Sequence, residues 1–207
     1  MQKFERLDAV AVPMPEGDIN TDQVVPARFM HLPRVDYGRY CFHDLRFHPD
    51  GSTREGYVLN HPAYAKAGIL VAGPNFGCGS SREHAVFTLA DYGFRAVLAT
   101  SFADIFFANC LQNGVLPAPL PADFIGHLLA LLAKAPGTHV AVDLERQTVS
   151  APDGAQAGFE IDPFRKDCLL RGLDELDVTM AHLQAIEEFE ARREKTPANL
   201  PSFNGNL

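Results

Sequence analysis

The feature that most constrains the fold is an alternation of short apolar segments with helical ones between residues 60 and 134. The runs ILVAG, RAVLA and VLPAPL are short and almost wholly apolar, and segments of helical character separate them, the last from about Ala122 to Lys134. Strands that are buried on both faces have continuous apolar sequences, and helical connections place neighbouring strands parallel. The sequence therefore predicts an α/β core with parallel strands and flanking helices.

The rest of the chain is predicted to be less regular. LDAVAV and QVVPARFM are predicted strands around the turn PEGDINTD, and residues 31–57 are a loop-rich stretch. After Pro136 we predict a hairpin in THVAVDLERQTVSA, a strand end at FEIDPF and a C-terminal helix in DELDVTMAHLQAIEEFEARREK. We predict one domain over residues 1–195 and a disordered tail over 196–207, because the tail is rich in proline and asparagine.

Charge and hydropathy exclude several classes of partner. The net charge of −8 argues against a nucleic-acid backbone, which requires a basic face. No apolar run approaches the roughly 20 residues needed to span a bilayer. The N-terminal MQKFERLDAV has no apolar core of the kind found in signal peptides, so we expect a cytoplasmic protein.

The cysteines do not form a metal-binding pattern. Cys41, Cys78, Cys110 and Cys168 are widely separated and contain no C-x-x-C motif, so we predict no zinc site, no iron–sulfur cluster and no other metal ligand in this chain. We expect Cys41, Cys110 and Cys168 to be reduced and mostly buried.

The segment GCGSSREH, residues 77–84, is the strongest candidate for a binding site. It lies between a predicted strand and a predicted helix, where free backbone N–H groups and the helix dipole favour anions. Glycines allow close approach of a ligand, and Arg82 offers a planar fork for a carboxylate. Alternatively, Ser80 and Glu83 match the S-x-x-E capping box and would only start the helix. Local sequence leaves both interpretations open.

A longer comparison favours a site. The stretch GPNFGCGSSREHAVFTLADYGFRAVLATSFADIFFANCLQNGVLP resembles the swivelling domain of the aconitase superfamily, and within it the family of 3-isopropylmalate dehydratase small subunits. The resemblance extends to DINTDQVVPARF and PFRKDCLLRGLDEL, and so spans nearly the whole chain. It implies a single swivelling β/β/α domain with parallel core strands and a C-terminal helix.

The resemblance also implies roles for particular residues. In that superfamily a dehydration followed by a rehydration moves a hydroxyl group between adjacent carbons. By motif position, Ser80 would be the general base, and Ser81 and Arg82 would bind substrate. Asp22, in the turn DINTD, matches the active-site aspartate of the family, although turn formation is the commonest use of such residues. Glu83 and His84 are interpreted as capping and packing the start of the helix.

The segment PARFMHLPRVDYG corresponds to the loop that determines substrate choice in the family. Arg34 occupies the place of a basic residue near the substrate, and an ordinary surface arginine is the alternative. Phe29, Met30 and Leu32 are candidates to contact an isopropyl group. The sequence LPRVDYG departs from the threonine and phenylalanine that many relatives carry around this arginine.

The resemblance implies a second chain. No cofactor is expected in this chain, and a [4Fe-4S] cluster is expected in a large subunit that shares the active site. The aromatic-rich residues 31–57 and the tail are candidate docking segments. Alternative functions are the small subunit of homoaconitase, that of a citraconate- or methylmalate-type hydro-lyase, and a stand-alone dicarboxylate-binding module.

Overall fold

The computed structural model describes residues 1–195, with side chains through residue 193. Its strands are β1 (Arg6–Met14), β2 (Ile69–Ala72), β3 (Ala96–Ala99), β4 (Leu116–Pro119), β5 (His139–Asp143), β6 (Thr148–Ser150) and β7 (Gln156–Gly158). Its α-helices are α1 (Thr21–Val24), α2 (His43–Arg46), α3 (Glu83–Tyr92), α4 (Asp104–Gln112), α5 (Ala122–Lys134), α6 (Pro163–Arg171), α7 (Glu175–Met180) and α8 (Leu183–Lys195). Within the described residues the strands form one sheet, in the order β4-β3-β2-β1-β5-β6-β7.

The predicted parallel core is confirmed. Every residue of β2 and of β3 is buried, which is the expected environment of short, continuous apolar strands. Strand β2 pairs in parallel with β3, with Ile69 opposite Ala96, and β3 pairs in parallel with β4. Helix α3 connects β2 to β3, and α4 connects β3 to β4, so the loops at the carboxyl ends of these strands lie at one edge of the sheet.

Strand β1 lies between the parallel and the antiparallel part of the sheet. Its second half, from Ala11 to Met14, pairs in parallel with β2, whereas Arg6 to Val10 pair antiparallel with β5. Strands β5, β6 and β7 then continue as an antiparallel meander, which confirms the predicted hairpin after Pro136. The first nine-residue strand therefore holds the parallel and antiparallel halves together.

Proline occupies the outer edge of the parallel half. The N–H group of Leu116 donates to the Arg95 carbonyl, and that of Leu120 donates to the Ala99 carbonyl, so both point toward β3. Backbone direction alternates along a strand, so Pro117 and Pro119 face outward, where they present no N–H group.

Two apolar clusters lie in the core. One contains Leu70 and Val97 with residues of α3 and of the segment 37–64, and the other contains Ile69 and Leu98 with residues of α5. The aromatic side chains Tyr37, Tyr40 and Phe42 are at most 8% exposed and belong to the first cluster. These three rings fill the core of this chain and are not available to a partner, and the docking role of residues 31–57 stays a prediction.

The segment QVVPARFM is not the predicted strand. Asn20 caps α1 in a capping box with Gln23, in which each side chain bonds the other residue's backbone N–H. A short 3-10 helix, Ala27–Phe29, follows Pro26. The apolar pattern of this segment is satisfied by packing of Val24 and Val25 in the core, so a strand is unnecessary.

The C-terminal predictions also change. FEIDPF does not end a strand, because Asp162 accepts a hydrogen bond from the Arg165 N–H and Pro163 begins α6. The predicted single C-terminal helix consists of two, α7 and α8.

Contacts divide the chain into a unit Met1–Gly172 and a second unit that begins at Leu173, and the domain predicted over residues 1–195 stays a prediction. The predicted disordered tail lies outside the described residues. None of the helices within residues 1–195 is both long enough and apolar enough to cross a bilayer.

Replacing a fully buried side chain of the central sheet should cost substantial stability. Leu70 is 0% exposed, so Leu70→Ala should lower the free energy of unfolding by about 2–5 kcal/mol through lost burial and cavity formation. Val35 is 85% exposed, and Val35→Ala should change the free energy of unfolding by less than about 0.5 kcal/mol. Urea denaturation followed by circular dichroism checks both values. Equal losses in the two variants would contradict the assigned core.

Candidate functional site

The loop that follows β2 has a backbone that requires glycine. Asn75, Gly77 and Gly79 have φ of 58°, 77° and 91°, in the left-handed region that side chains with a Cβ rarely adopt. A Cβ atom on Gly77 would lie 2.1 Å from Cγ of Phe106, so a side chain has no room there. Gly77, one of the glycines predicted to permit close approach of a ligand, therefore also allows the loop to pack on α4.

Residues 19–21 hold one side of this loop. The Gly77 N–H donates to the Ile19 carbonyl at 2.7 Å, and the Thr21 N–H donates to the Cys78 carbonyl at 3.0 Å. The Thr21 hydroxyl donates to the Ser80 carbonyl at 2.9 Å, and Thr21 is only 1% exposed. Thr21 thus binds the loop at two points on either side of Gly79.

Residues 101–103 hold the other side. The Phe76 N–H donates to the Ser101 carbonyl at 3.0 Å, and the Ala103 N–H donates back to the Phe76 carbonyl at 3.0 Å. The Asn75 N–H donates to the Ser101 hydroxyl at 2.8 Å. The serine loop, defined here as residues 77–82, and the two residues before it therefore lie between segments that follow β1 and β3, the two strands that flank β2.

The capping-box alternative for Ser80 is wrong. Helix α3 begins at Glu83 with Arg82 as its N-cap, and no side chain caps it. The Glu83 carboxylate instead accepts a hydrogen bond from the Asn113 amide at 2.8 Å, 30 residues away. The predicted packing role of His84 fits the structure, since its ring centroid lies 5.8 Å from that of Tyr37. Ser80 is thus exposed and is not used to start the helix.

Arg82 and Asp22 form an ion pair across the serine loop. The Arg82 guanidinium donates to the Asp22 carboxylate, and their side chains are 19% and 53% exposed respectively. Asp22 is the second residue of α1, directly after the Thr21 that binds the loop. The structure therefore places Asp22 in contact with Arg82, the residue that follows Ser80 and Ser81.

A cavity of about 230 Å³ lies at this loop. It is lined by Thr21, Gly77, Gly79, Ser80, Ser81, Arg82, Ala103, Asp104, Ile105 and Phe106. Helices α3 and α4 both begin beside it, and neither has a side-chain cap, so free N–H groups of their first turns are available near the cavity. Ser80 and Ser81 are exposed at its surface. The site combines hydroxyl groups, a guanidinium and helix N-termini, which suits a hydroxylated carboxylate ligand.

Arg34 contacts α3 away from the serine loop. Its guanidinium donates to the Asp91 carboxylate at 3.0 Å and stacks on the Phe87 ring with 3.9 Å between Cζ and the ring centroid. The Asp91 carboxylate also accepts from the Tyr37 N–H at 3.2 Å. Arg34 is not among the residues that line the cavity. The structure thus places it in a separate cluster, and its predicted contact with substrate stays a prediction.

Sequence reasoning missed the organising role of Tyr37. Its buried hydroxyl lies 2.8 Å from the Leu32 carbonyl and also close to those of Phe29 and Met30, so it closes the loop over residues 29–37. The Phe29 ring stacks on Tyr40 at 4.2 Å. Phe29, Met30 and Leu32 do not line the serine-loop cavity. A single tyrosine in an irregular segment carries no local signal that would have identified this role.

A larger cavity, of about 750 Å³, lies away from the serine loop. Its polar residues include Arg28, His43, Asp44 and Arg54. The hydrogen bond from the Arg28 guanidinium lowers the pKa of Asp44 to about 2. The Asp44 carboxylate is already paired with Arg28, and no residue of the segment 77–84 lines this cavity. We therefore assign the candidate site to the smaller cavity.

The cysteines occupy separate environments. Cys41 and Cys110 are completely buried, and burial raises the pKa of both thiols, which confirms their predicted environment; Cys168 is also buried. Cys78 is partly exposed, and its thiol donates to the Asp18 carbonyl at 3.3 Å. Within residues 1–195, no three His, Cys, Asp or Glu side chains are grouped so that they could hold a metal ion. The donor set of these residues does not fit an iron–sulfur cluster.

Comparisons with known proteins identify the family. The family model described as Aconitase C-terminal domain matches residues 1–123, and one described as LeuD_N matches residues 127–163. The 3-isopropylmalate dehydratase small subunit of Gluconacetobacter diazotrophicus is 48% identical over 94% of this chain and 95% of its own length. Those of Phenylobacterium zucineum and Rhodospirillum rubrum are 49% and 46% identical over 93% and 97% of this chain, and over 95% and 98% of their own. This chain belongs to the family of 3-isopropylmalate dehydratase small subunits.

A solved structure supports the fold of this small-subunit family member. A crystal structure of 3-isopropylmalate dehydratase (leuD) from Methanocaldococcus jannaschii matches with a TM-score of 0.62 over 91% of this chain and 99% of that chain. Its sequence identity is 22%, so the match is evidence for the fold alone. The predicted family and the predicted α/β fold with parallel core strands are confirmed.

The hydrogen bond from the Thr21 hydroxyl to the serine loop can be tested through the reactivity of the Cys78 thiol. Thr21→Val keeps the side-chain shape but removes a hydrogen bond worth about 0.5–1.5 kcal/mol, so alkylation of Cys78 should become about 3- to 10-fold faster. Thr21→Ser, which keeps the hydroxyl, should remain within about twofold of the original chain. Mass spectrometry after iodoacetamide treatment measures each thiol. Buried Cys41 and Cys110 are internal references, since their faster alkylation would indicate general unfolding. Equal rates of Cys78 alkylation in Thr21→Val and Thr21→Ser would contradict the proposed restraint of the loop by the Thr21 hydroxyl.

Proposed function

We propose that this chain is the small subunit of a 3-isopropylmalate dehydratase, which interconverts 2-isopropylmalate and 3-isopropylmalate in leucine biosynthesis. The main observation in support is that Ser80, Ser81 and Arg82 line one open cavity, and that Asp22 pairs with Arg82, in a member of this family. The two serines are exposed, so the site is open on one side. We propose that a large subunit closes it and that activity requires both chains.

The proposed reaction removes and returns one molecule of water. In the dehydration a C–H bond and the neighbouring C–O bond break, a C=C bond forms, and the proton and hydroxyl leave the substrate. In the rehydration water adds across the same double bond with the positions of hydrogen and hydroxyl exchanged. The atoms balance and the net change is an isomerisation. The reaction therefore requires a base that removes a proton from carbon and a group that binds the substrate carboxylates.

Ser80 is the proposed base. A serine hydroxyl has a pKa far above neutrality, so it can accept a carbon-bound proton only where its alkoxide is stabilised by preorganised donors. The uncapped start of α3 lies two residues beyond Ser81, and Arg82 adds a positive charge at the same point. Thr21 restrains the Ser80 backbone through the carbonyl. These features support Ser80 in preference to a residue outside the loop.

Arg82 and Ser81 are the proposed substrate-binding residues, and Asp22 is the proposed second catalytic residue. A guanidinium binds a carboxylate through two parallel N–H bonds, which fixes its orientation. Asp22 occupies one side of the Arg82 guanidinium and restricts the directions in which it can bind substrate. The Ser81 hydroxyl is exposed at the same cavity and is available to a substrate oxygen.

Arg34 is the proposed contact from the specificity loop. Its side chain is 45% exposed although it is held by Asp91 and Phe87, so part of the guanidinium remains accessible. Stacking on an aromatic ring orients the plane of a guanidinium without using all of its donors. This anchored arginine would meet a substrate only when the site is completed by the partner.

The proposed partner is the large subunit of the same enzyme. Because residues 1–195 do not offer a donor set for a cluster, we place the [4Fe-4S] cluster in that subunit. When bound there, it would supply a Lewis acid for the substrate hydroxyl. The proposed compartment is the cytoplasm, where free thiols such as the four of this chain stay reduced.

Removing the proposed base should abolish turnover without preventing assembly. Ser80→Ala, reconstituted anaerobically with a cluster-bearing large subunit, should lower kcat for 3-isopropylmalate by at least about 100-fold, the lower range for a positioned acid–base group. Ser150→Ala, on β6, is the matched control and should retain activity. Turnover can be followed by the ultraviolet absorbance of the unsaturated product. Near-normal kcat in Ser80→Ala would show that another group accepts the proton.

Arg82→Lys tests carboxylate recognition separately from proton transfer. A lysine keeps the charge but loses the planar fork, so kcat/KM should fall by about 10- to 100-fold, as expected for a charged hydrogen bond worth about 1.5–3 kcal/mol. Arg146→Lys, in the turn between β5 and β6, should have no effect. Steady-state kinetics of the reconstituted pair provide the measurement. An unchanged kcat/KM would remove Arg82 from substrate binding.

The same reconstituted pair distinguishes the alternative functions. Faster turnover of homocitrate would indicate a homoaconitase, and faster turnover of citramalate would indicate a citraconate-type hydro-lyase. Tight binding of a dicarboxylate by the isolated chain, with no gain on adding a large subunit, would indicate a stand-alone binding module.

A further inference from the structure

Ile105 is an exposed apolar side chain at the candidate site. It is the second residue of α4 and is 55% exposed, whereas its neighbour Phe106 is 2% exposed. Phe106 packs against Gly77, which fixes the start of α4 on the serine loop. Ile105 lines the cavity together with Ser80 and Arg82. Ile105 therefore presents apolar surface beside the cavity and is not part of the core.

The cavity has a polar wall and an apolar wall. Thr21, Ser80, Ser81 and Arg82 supply hydroxyl groups and a guanidinium, and the start of α4 supplies Ala103, Ile105 and Phe106. The polar wall suits the two carboxylates and the hydroxyl of an isopropylmalate. The branched three-carbon substituent of that substrate has no polar group, so it requires an apolar surface.

The residues predicted to contact the isopropyl group do not supply that surface at this cavity. Phe29 is stacked on Tyr40, and neither Met30 nor Leu32 lines the cavity. Among the residues that do line it, Ile105 is the large aliphatic side chain that remains exposed. The apolar contact available beside the serine loop thus comes from α4.

We propose that Ile105 forms the apolar wall that selects the isopropyl substituent of the substrate. This inference rests on the proposed function, and it adds the start of α4 to the specificity loop around Arg34 as a determinant of the alkyl group. Each methylene group matched by a hydrophobic pocket changes kcat/KM by about 10-fold or more. Removing part of this wall should therefore reduce the preference for a large substituent and leave the carboxylate contacts intact.

The test compares two substrates in the reconstituted pair. Ile105→Ala should lower kcat/KM for 3-isopropylmalate by about 10-fold and that for 3-methylmalate by less than about twofold, because a methyl group fills less of the pocket. Ile105→Leu conserves volume and should keep the original preference within about threefold. Analytical gel filtration of each variant with the large subunit measures assembly.

Phe164→Ala is the matched control. Phe164 is also the second residue of a nine-residue helix, α6, and is 52% exposed, but it does not line the cavity. It should change neither substrate. An equal loss for both substrates in Ile105→Ala, weaker assembly, or no change would overturn the proposal. Absence of isopropylmalate turnover in the unsubstituted pair would instead refute the proposed function, so the two failures are distinguishable.

Discussion

The candidate site depends on backbone hydrogen bonds that join distant parts of the chain. The serine loop receives Thr21 on one side and lies against the segment of Ser101 to Ala103 on the other. Thr21 and Ser80 are 59 residues apart in sequence, so neither segment can adopt this geometry alone. Thr21 is only 1% exposed, so losing its bonds would leave buried polar atoms unsatisfied, which is costly. The position of each functional side chain therefore follows from how β1, β2 and β3 are arranged.

Sequence reasoning succeeded where structure is determined locally. The apolar runs that became β2 and β3 and the helical patterns of α3, α4 and α5 needed no knowledge of distant residues. It failed where a distant partner decides the outcome. Glu83 matches a capping box, but its carboxylate binds Asn113. Likewise, QVVPARFM has a strand-like composition, yet the Asn20 cap and core packing of Val24 favour a helix.

The site residues show the same division. Ser80, Ser81 and Arg82 are contiguous, so one family motif predicts all three as site residues, and the turn DINTD predicts Asp22. Arg34 is separated from them because Asp91 and Phe87 hold it further along α3. Ile105 has no distinguishing local signal, since an isoleucine near a helix start is ordinarily part of a core. The Arg82–Asp22 pair is partly exposed and so contributes little to stability, which makes orientation of the guanidinium its principal effect.

The prolines of β4 have a consequence for how this protein can meet other chains. An exposed strand edge with free N–H groups can add a strand from a neighbouring molecule, and such pairing leads to aggregation. Pro117 and Pro119 remove those donors from the outer edge of β4, and β7 at the opposite end has only three residues. A small subunit made in excess of its partner is thereby protected from polymerising through its sheet. These edges favour association through side chains of loops and helices, whose shape and charge can discriminate between partners.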